Sequence, residues 1–289
     1  MAEAPTPAVA SSSPALDDDA ARLRELGYQQ ELKRGLRAFE NVGMGFAAIS
    51  PVVALYGVVA VGMVLAGPAW VWVLPAALVG QCLVLVVYSE LSSEFPIANA
   101  SYQWSRRLLG PSYGWFNGWV GLCAYCVANT TIAYLGAPWA LTMLGIDTNP
   151  NAIVVAGAVL ILVCSLVNTC GVDVLKHVVK VGVAAEAVCS VGVGLVLLIG
   201  YRQHSVSVLG DTLGAPRGAT GAALLAALAV GGWVFIGFDA CGLTSEETKS
   251  AARSVPRAVW LAMLSVGAIV ILNAFAITLA HPRIEDVVR

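Results

Sequence analysis

The chain has 289 residues, of which 58% are hydrophobic and only 12% are charged, and its mean hydropathy is +0.79. In an average soluble domain about one quarter of the residues are charged. The few charged residues of this chain cannot cover the surface of a soluble 30 kDa domain. The net charge of −2 argues against a nucleic-acid partner, and seven cysteines scattered through apolar stretches argue against a disulfide framework. The composition therefore predicts a polytopic, all-α membrane protein with the lipid bilayer around it.

The first 40 residues divide into two segments of different composition. Residues 1–20 are rich in Ala, Pro, Ser and Asp and contain no Lys, no Arg and no apolar run, so they do not form a signal peptide. We expect a disordered cytoplasmic tail there. Residues 21–40 interleave basic side chains with leucine and phenylalanine, which predicts a basic amphipathic leader at the membrane surface. An ordinary solvated linker is the alternative for this second segment.

Seven apolar segments follow, and they make residues 41–281 a predicted transmembrane domain. Residues 41–89 contain no charged residue, which is more than one ~20-residue span needs, and the Gly67-Pro68 pair breaks this stretch in two. Residues 108–146 are likewise uncharged, and the Asn149-Pro150 pair marks the next turn. The predicted helices cover about residues 42–66, 70–91, 114–140, 152–169, 178–200, 221–243 and 257–280.

The distribution of Lys and Arg gives these helices an orientation. With the N-terminus in the cytoplasm, the inner segments contain twelve of the sixteen basic residues and the outer segments contain four. Asn99 begins an Asn-Ala-Ser glycosylation sequon on the inner side, so we expect it to stay unmodified. The twelve inner residues are Arg22, Arg24, Lys33, Arg34, Arg37, Arg106, Arg107, Lys176, Lys180, Lys249, Arg253 and Arg257.

Glu186 is an acidic residue about two turns into the fifth predicted helix. The nearest basic residue before it in the sequence is Lys180, six positions earlier and off its helical face. A carboxylate inside the membrane needs a partner, a proton or an ion. Glu186 is therefore a candidate proton- or cation-coupling site. The alternative is a structural carboxyl group that is protonated or hydrogen-bonded to a neighbouring helix.

Glycine and proline interrupt the sixth and the first predicted helices. Four glycines lie within residues 231–242, around Asp239, and each weakens a helix by up to ~1 kcal/mol relative to alanine. Pro51 removes a backbone donor after two glycines and Ser50. Both patterns indicate discontinuous helices whose freed backbone groups bind a ligand. The alternatives are close packing through small residues around Asp239 and a simple proline kink at Pro51.

Two further groups of residues have weaker signals. Glu90 and Glu94 end the second predicted helix near Arg106 and Arg107, which indicates a gate, a structural ion pair, or merely solvated side chains. Cys123 and Cys126 have the spacing of a redox or zinc motif, but no histidine or second cysteine pair accompanies them, so no metal site is predicted.

A set of short motifs occurs in order between about residues 20 and 281. Among them are Phe46-Ala-Ala-Ile-Ser50 and the Ser245-Glu-Glu-Thr248 sequence that follows Gly237-Phe-Asp-Ala240. The set resembles the amino acid/choline transporter family, which comprises amino-acid, GABA and choline permeases of the amino acid–polyamine–organocation superfamily. The remaining matching segments are residues 23–34, 67–72, 88–96, 102–104, 109–111, 118–119 and 256–257.

The resemblance implies a LeuT-like bundle of two inverted five-helix repeats, with the first repeat (helices 1–5) complete and the second represented only by helices 6 and 7. It implies that the broken parts of helices 1 and 6 bind the substrate. Trp233 falls at the position of an aromatic gate. Pro51 and Glu90, singled out above from their own chemistry, are candidate gate or loop residues. Glu186 replaces a helix-5 lysine of some relatives, which favours a bound cation or proton. The implied substrate-binding residues are Ala48, Ile49, Ser50, Trp233, Ile236, Gly237, Phe238 and Asp239.

Together these features predict a plasma-membrane permease that moves amino acids or related small amines by alternating access. No cofactor is expected other than a coupling H⁺ or Na⁺, no nucleic acid is expected as a partner, and no enzymatic activity is expected. The alternatives are a seven-helix receptor and a truncated, non-transporting or regulatory membrane protein. The expected orientation argues against a receptor, because seven spans would place the C-terminus outside.

Overall fold

The computed structural model describes residues 14–211 and 220–282. Within these ranges the chain forms α-helices and three short 3-10 helices, and no β-strand. The 3-10 helices are Gly67–Trp72, Val206–Gly210 and Ser245–Glu247. The α-helices are α1 (Pro14–Glu25), α2 (Ala38–Ile49), α3 (Pro51–Ala66), α4 (Val73–Glu94), α5 (Ala100–Leu109), α6 (Pro111–Met143), α7 (Pro150–Thr169), α8 (Val172–Gly200), α9 (Thr220–Trp233), α10 (Ala240–Leu243) and α11 (Ala251–Ala280).

Five helical stretches of the described residues are long and apolar enough to cross a membrane. This confirms the prediction of an all-helical membrane protein. The sequence predicts seven spans. The single stretch Gly57–Glu94 joins the second half of the first predicted span to the second, and the interrupted sixth span leaves only the shorter apolar helix Gly221–Trp233. The first breaks at Ser50 into α2 and α3, and the sixth stops at Trp233 before resuming in α10. The five stretches are Gly57–Glu94, Pro111–Met143, Pro150–Thr169, Val174–Gly200 and Ala251–Ala280.

The described part of the N-terminal segment is helical. Residues 1–13 of the expected disordered tail lie outside the described residues, and residues 14–20 belong to helix α1. Asp19 contributes to the packing of this helix. It is buried and forms an ion pair of 3.2 Å with Arg34, which holds α1 against the segment that follows.

The basic leader packs onto the protein. Leu23 and Leu36 are fully buried, and Leu36 forms an isolated parallel β-bridge with Thr248 in the loop between α10 and α11. The Leu36 amide donates to the Glu247 carbonyl, and the Lys249 amide donates to the Leu36 carbonyl, each at 2.9 Å. The leader thereby joins the first transmembrane helix to the end of the sixth.

Polar side chains hold the same segment in place. The Arg34 guanidinium donates to the Thr248 carbonyl at 2.6 Å, and burial lowers the pKa of Arg34 although Asp19 and Glu246 oppose this shift. Arg107 donates to the Leu26 carbonyl at 2.8 Å. This end of the bundle, called here the leader end, therefore comprises the leader, α5 and the α10–α11 loop.

Helix α11 is the centre of the bundle, with half of its most apolar stretch buried, whereas only 6% of the corresponding stretches of α6 and α7 is buried. It packs against α2, α4 and α8. Helix α6 has 33 residues, which at 1.5 Å per residue is about 50 Å and exceeds the ~30 Å hydrocarbon core. The apolar outer faces of α6 and α7 suit contact with lipid tails.

The opposite end of the bundle is closed by residues 201–211 and the 3-10 helix Gly67–Trp72. The Trp72 indole donates to the Leu209 carbonyl at 3.0 Å, and the amides of Gln203 and His204 donate to the Leu279 carbonyl at 2.9 and 3.0 Å. These contacts fix the last turn of α11 to the loop after α8.

Candidate functional site

The first break lies at Ser50, between α2 and α3. Ser50 has a φ of +49°, a conformation that is strained for a non-glycine residue, and Pro51 starts α3 because it needs no N–H partner at a first helical position. The Glu186 carboxylate of α8 reaches this break. Its Oε1 atom accepts from the Ser50 hydroxyl at 2.5 Å and from the Val52 amide at 3.3 Å.

The backbone donors at the start of α3 are therefore all accounted for. A helix leaves its first four N–H groups without intrahelical partners. Here the Ser50 amide donates back to the Phe46 carbonyl at 2.9 Å, and proline has no N–H. The Val52 amide donates to Glu186, and the Val53 amide donates to the Ser50 hydroxyl at 3.4 Å. No backbone donor at the start of α3 is therefore free for a ligand.

The end of α2, in contrast to the start of α3, has backbone groups without hydrogen-bond partners. The carbonyls of Ala47, Ala48 and Ile49 accept no hydrogen bond from any residue that the structure describes. The reason is that Pro51 has no N–H, while the amides of the next two residues donate to the Glu186 carboxylate and to the Ser50 hydroxyl. Helix C-terminal carbonyls are partially negative and favour a cation. The break in the first span therefore offers free acceptors on one side and no free donors on the other.

The second break lies between Trp233 and Ala240. Gly237 has a φ of +115°, which glycine adopts without cost. A Cβ atom added at Gly237 would lie only 2.6 Å from the Ala48 carbonyl oxygen and 3.0 Å from the Ile49 amide nitrogen. The two breaks therefore meet backbone to backbone, and only a residue without a side chain fits between them.

Asp239 is held by two tyrosines from different helices. The Tyr125 hydroxyl of α6 donates to the Asp239 carboxylate, and the Tyr88 hydroxyl of α4 donates to the Asp239 carbonyl at 3.1 Å. The Tyr88 ring also packs edge-on against Phe238, with 5.3 Å between the ring centroids. The unwound segment is thus anchored to α4 and α6, while the amides of Gly237, Phe238 and Asp239 donate to no described group.

Asn41 locks the leader-end halves of the two broken spans together. It is fully buried at the start of α2, and its amide nitrogen lies 3.1 Å from the Cys241 carbonyl, 3.1 Å from the Thr244 hydroxyl and 2.8 Å from the Thr248 hydroxyl. Gly45 lets α2 approach this closely, because a Cβ there would lie 2.5 Å from the Cys241 sulfur.

The structure brings most of the predicted site residues together, but not all of them. Ile236 is 55% exposed, whereas the neighbouring Gly237 lies in the contact between the breaks. Trp233 lies on the far side of the break, where its ring is 3.6 Å from the Cβ position of Gly57 in α3. Glu90 is exposed and forms no ion pair with any described residue, and its role at a gate stays a prediction.

The acidic end of α4 has a different partner from the expected one. Glu94 forms an ion pair with Arg22 of α1, whereas the sequence indicates Arg106 and Arg107. Arg107 instead stacks over the Phe95 ring at 5.8 Å and donates to the leader. Adjacent charges in the sequence suggested the wrong pair, because α1 folds back onto the end of α4.

A cavity of about 360 Å³ lies between α3 and α6, next to the first turn of α3. Its walls are apolar, and it could admit a small organic molecule beside the breaks. No group of three or more His, Cys, Asp or Glu side chains that could hold a metal occurs in the described part of the chain. The cavity is lined by Val52, Val53, Gly57, Leu135, Gly136 and Trp139.

Sequence reasoning missed the roles of Asn41 and Tyr88. Tyr125 belongs to a polar patch within the uncharged stretch 108–146, which indicates pore lining or hydrogen bonding between helices but does not identify Asp239 as its partner. Asn41 is a polar residue at the very start of the uncharged stretch 41–89. Tyr88 gives no comparable signal, because an aromatic residue in an apolar helix usually belongs to the core.

Apolar helices with two interrupted spans whose gaps meet are typical of membrane transporters. A comparison of the sequence with known families agrees, since the amino acid permease family matches residues 42–286. The chain belongs to this family. A permease match of this extent favours the permease interpretation over the receptor, and the family comprises transporters, not enzymes.

Individual relatives show the same kinship at lower identity. The chain is 33% identical to the amino-acid permease BAT1 homolog of Oryza sativa over 41% of this chain and 24% of that protein. It is 26% identical to cationic amino acid transporter 4 of Mus musculus over 90% of this chain and 43% of that protein. It is 25% identical to the low-affinity putrescine importer PlaP of Escherichia coli over 72% of this chain and 46% of that protein. The chain spans less than half the length of these relatives.

Proposed function

We propose that this protein moves amino acids or related small amines across a membrane by alternating access, with the substrate at the contact between the two breaks. The observation that carries the proposal is the contact of Gly237 with the Ala48 carbonyl, which places two unwound segments side by side within an apolar bundle. Unpaired backbone groups inside a membrane protein are tolerated where they line a site or a cavity. The LeuT-like repeat arrangement and the gating role of Trp233 belong to this proposal.

The chemistry of the site suits a small amphipathic cation. The free carbonyls at the end of α2 accept from an ammonium group, and the apolar cavity beside Val52 and Trp139 accommodates a hydrocarbon portion. The mouse and bacterial relatives are named for cationic amino acids and for putrescine, and this supports the same class of substrate.

Glu186 is the proposed coupling residue. It is half-buried, it touches the break through Ser50 and Val52, and its second oxygen, Oε2, accepts from no described residue. A proton or a sodium ion can therefore bind there. Of the helices packed against α8, α3 and α7 have no charged residue, α2 has only Glu40 in its first turn, and α11 has only Arg253 and Arg257 near its start.

The coupling role predicts a specific change in transport. Glu186→Gln removes the charge while keeping the shape, so uptake into proteoliposomes is expected to lose most of its dependence on the driving pH or sodium gradient. Glu31→Gln is the matched control, since Glu31 is exposed in the leader. Unchanged gradient dependence of the Glu186→Gln variant would remove the coupling role. Absence of uptake by the wild-type chain, folded and reconstituted, would remove the proposed transport itself.

We also propose that the N-terminus lies in the cytoplasm of a plasma-membrane protein, because the leader end gathers the basic residues. The native sequon at Asn99 lies in the exposed turn between α4 and α5, at the leader end. Gly210→Asn creates an Asn-Asp-Thr sequon at the opposite end. Expression in glycosylating cells is expected to add a glycan to the Gly210→Asn variant and none at Asn99. The reverse pattern would invert the orientation.

A further inference from the structure

The start of α3 has the features of an anion site, and the protein occupies it with its own carboxylate. A helix N-terminus attracts anions through free N–H groups and the helix dipole. The Val52 amide and the Ser50 hydroxyl are the donors that face the break, and both donate to Oε1 of Glu186. A carboxylate from a ligand can reach these donors only by displacing Glu186.

The rest of the site does not replace the anion-binding donors that Glu186 occupies. The amides of Gly237, Phe238 and Asp239 are free, but the Asp239 carboxylate belongs to the same three-residue segment. Helix α10, which follows them, has only four residues and contributes little dipole. No Lys, Arg or His occurs in residues 220–248, in residues 41–105 or along α6, so these segments supply no cationic side chain to either break.

Acceptors, by contrast, are available. The carbonyls of Ala47 and Ile49 and the Oε2 atom of Glu186 accept from no described residue, whereas the Ala48 carbonyl is covered by Gly237. An ammonium group can therefore bind between a helix C-terminus and a carboxylate without displacing any protein contact. A carboxylate on the same ligand would meet two fixed acidic side chains.

We propose that this site selects organic cations that lack a carboxylate, namely primary amines and diamines, over the amino acids from which they differ by that one group. Glu186 acts as a tethered substitute for the missing substrate carboxylate. The selectivity arises mainly from exclusion, because a like charge is placed where the competing ligand would bind. This inference rests on the proposed function and specifies its substrate class.

Matched pairs of ligands test the inference directly. Binding of putrescine against ornithine, and of cadaverine against lysine, is measured by thermal stabilisation of the purified full-length chain in detergent. We expect each amine to bind at least about tenfold more tightly than its parent amino acid. Equal or tighter binding of the amino acids would overturn the selectivity while leaving transport of amino acids in place. Absence of binding by all four ligands to the folded chain would overturn the proposed site as well.

Two variants test whether Glu186 causes the selectivity for amines over amino acids. Glu186→Ala frees the Val52 amide and the Ser50 hydroxyl, so the ratio of amine to amino-acid affinity is expected to fall at least about tenfold. Glu186→Gln keeps the shape and removes the charge, and it should lower the ratio in the same direction if the alanine variant does not fold. Glu31→Ala in the exposed leader is expected to leave the ratio unchanged. An unchanged ratio in the folded Glu186 variants would contradict the role of this carboxylate.

Discussion

Gly237→Ala is expected to abolish ligand binding and to destabilise the bundle by ~2–6 kcal/mol. Two independent costs add at this position. The φ of +115° is strained for any residue with a Cβ atom, and that atom would lie 2.6 Å from the Ala48 carbonyl oxygen. Because the neighbouring atoms are backbone, no side-chain rotation relieves the contact.

The measurement is the thermal midpoint of the detergent-solubilised chain together with amine binding. Gly232→Ala is the matched control, since it lies five residues earlier near the same break and a Cβ there meets no atom within 4 Å. We expect the control to keep both the midpoint and the binding. Similar behaviour of the two alanine variants would show that the backbones of the two broken spans do not touch.

The second large effect is expected for Asn41→Asp, at ~3–5 kcal/mol, because the change leaves a buried negative charge without a cationic partner. The Asn41 amide nitrogen faces the Cys241 carbonyl and two threonine hydroxyls. A carboxylate cannot donate to that carbonyl and repels it. Asn41→Ala removes the donor without adding charge, so its expected effect is smaller.

Thermal midpoints of Asn41→Asp, Asn41→Ala and the wild type give this order directly. Asn99→Asp makes the same chemical change at an exposed turn position and is expected to shift the midpoint little. If Asn41→Asp were as stable as Asn99→Asp, the buried contact of Asn41 with Cys241 could not be part of the fold.

The course of the backbone could be predicted well from the sequence. Runs of uncharged residues locate the apolar helices, and the local chemistry of Pro51 and of the glycines around Asp239 indicates where two of them are interrupted. These signals are local, since each depends on a few neighbouring residues and on the backbone freedom that they gain or lose.

The pairing of side chains across the bundle could not be predicted in the same way. The contacts of Glu186 with Ser50, of Tyr125 with Asp239 and of Arg22 with Glu94 each join residues more than 70 positions apart. Composition and periodicity do not contain this information.

The docking of the leader has a consequence for how the chain is made. Arg34 binds a carbonyl 214 residues further along the chain, in the loop before α11. A ribosome releases the N-terminal end first, so the bonds of Arg34 and Leu36 to the α10–α11 loop cannot form until nearly the whole described chain has been translated and its helices inserted. This part of the leader's attachment is therefore a late step of biogenesis, which follows the assembly of α2, α4 and α10 and marks their correct arrangement.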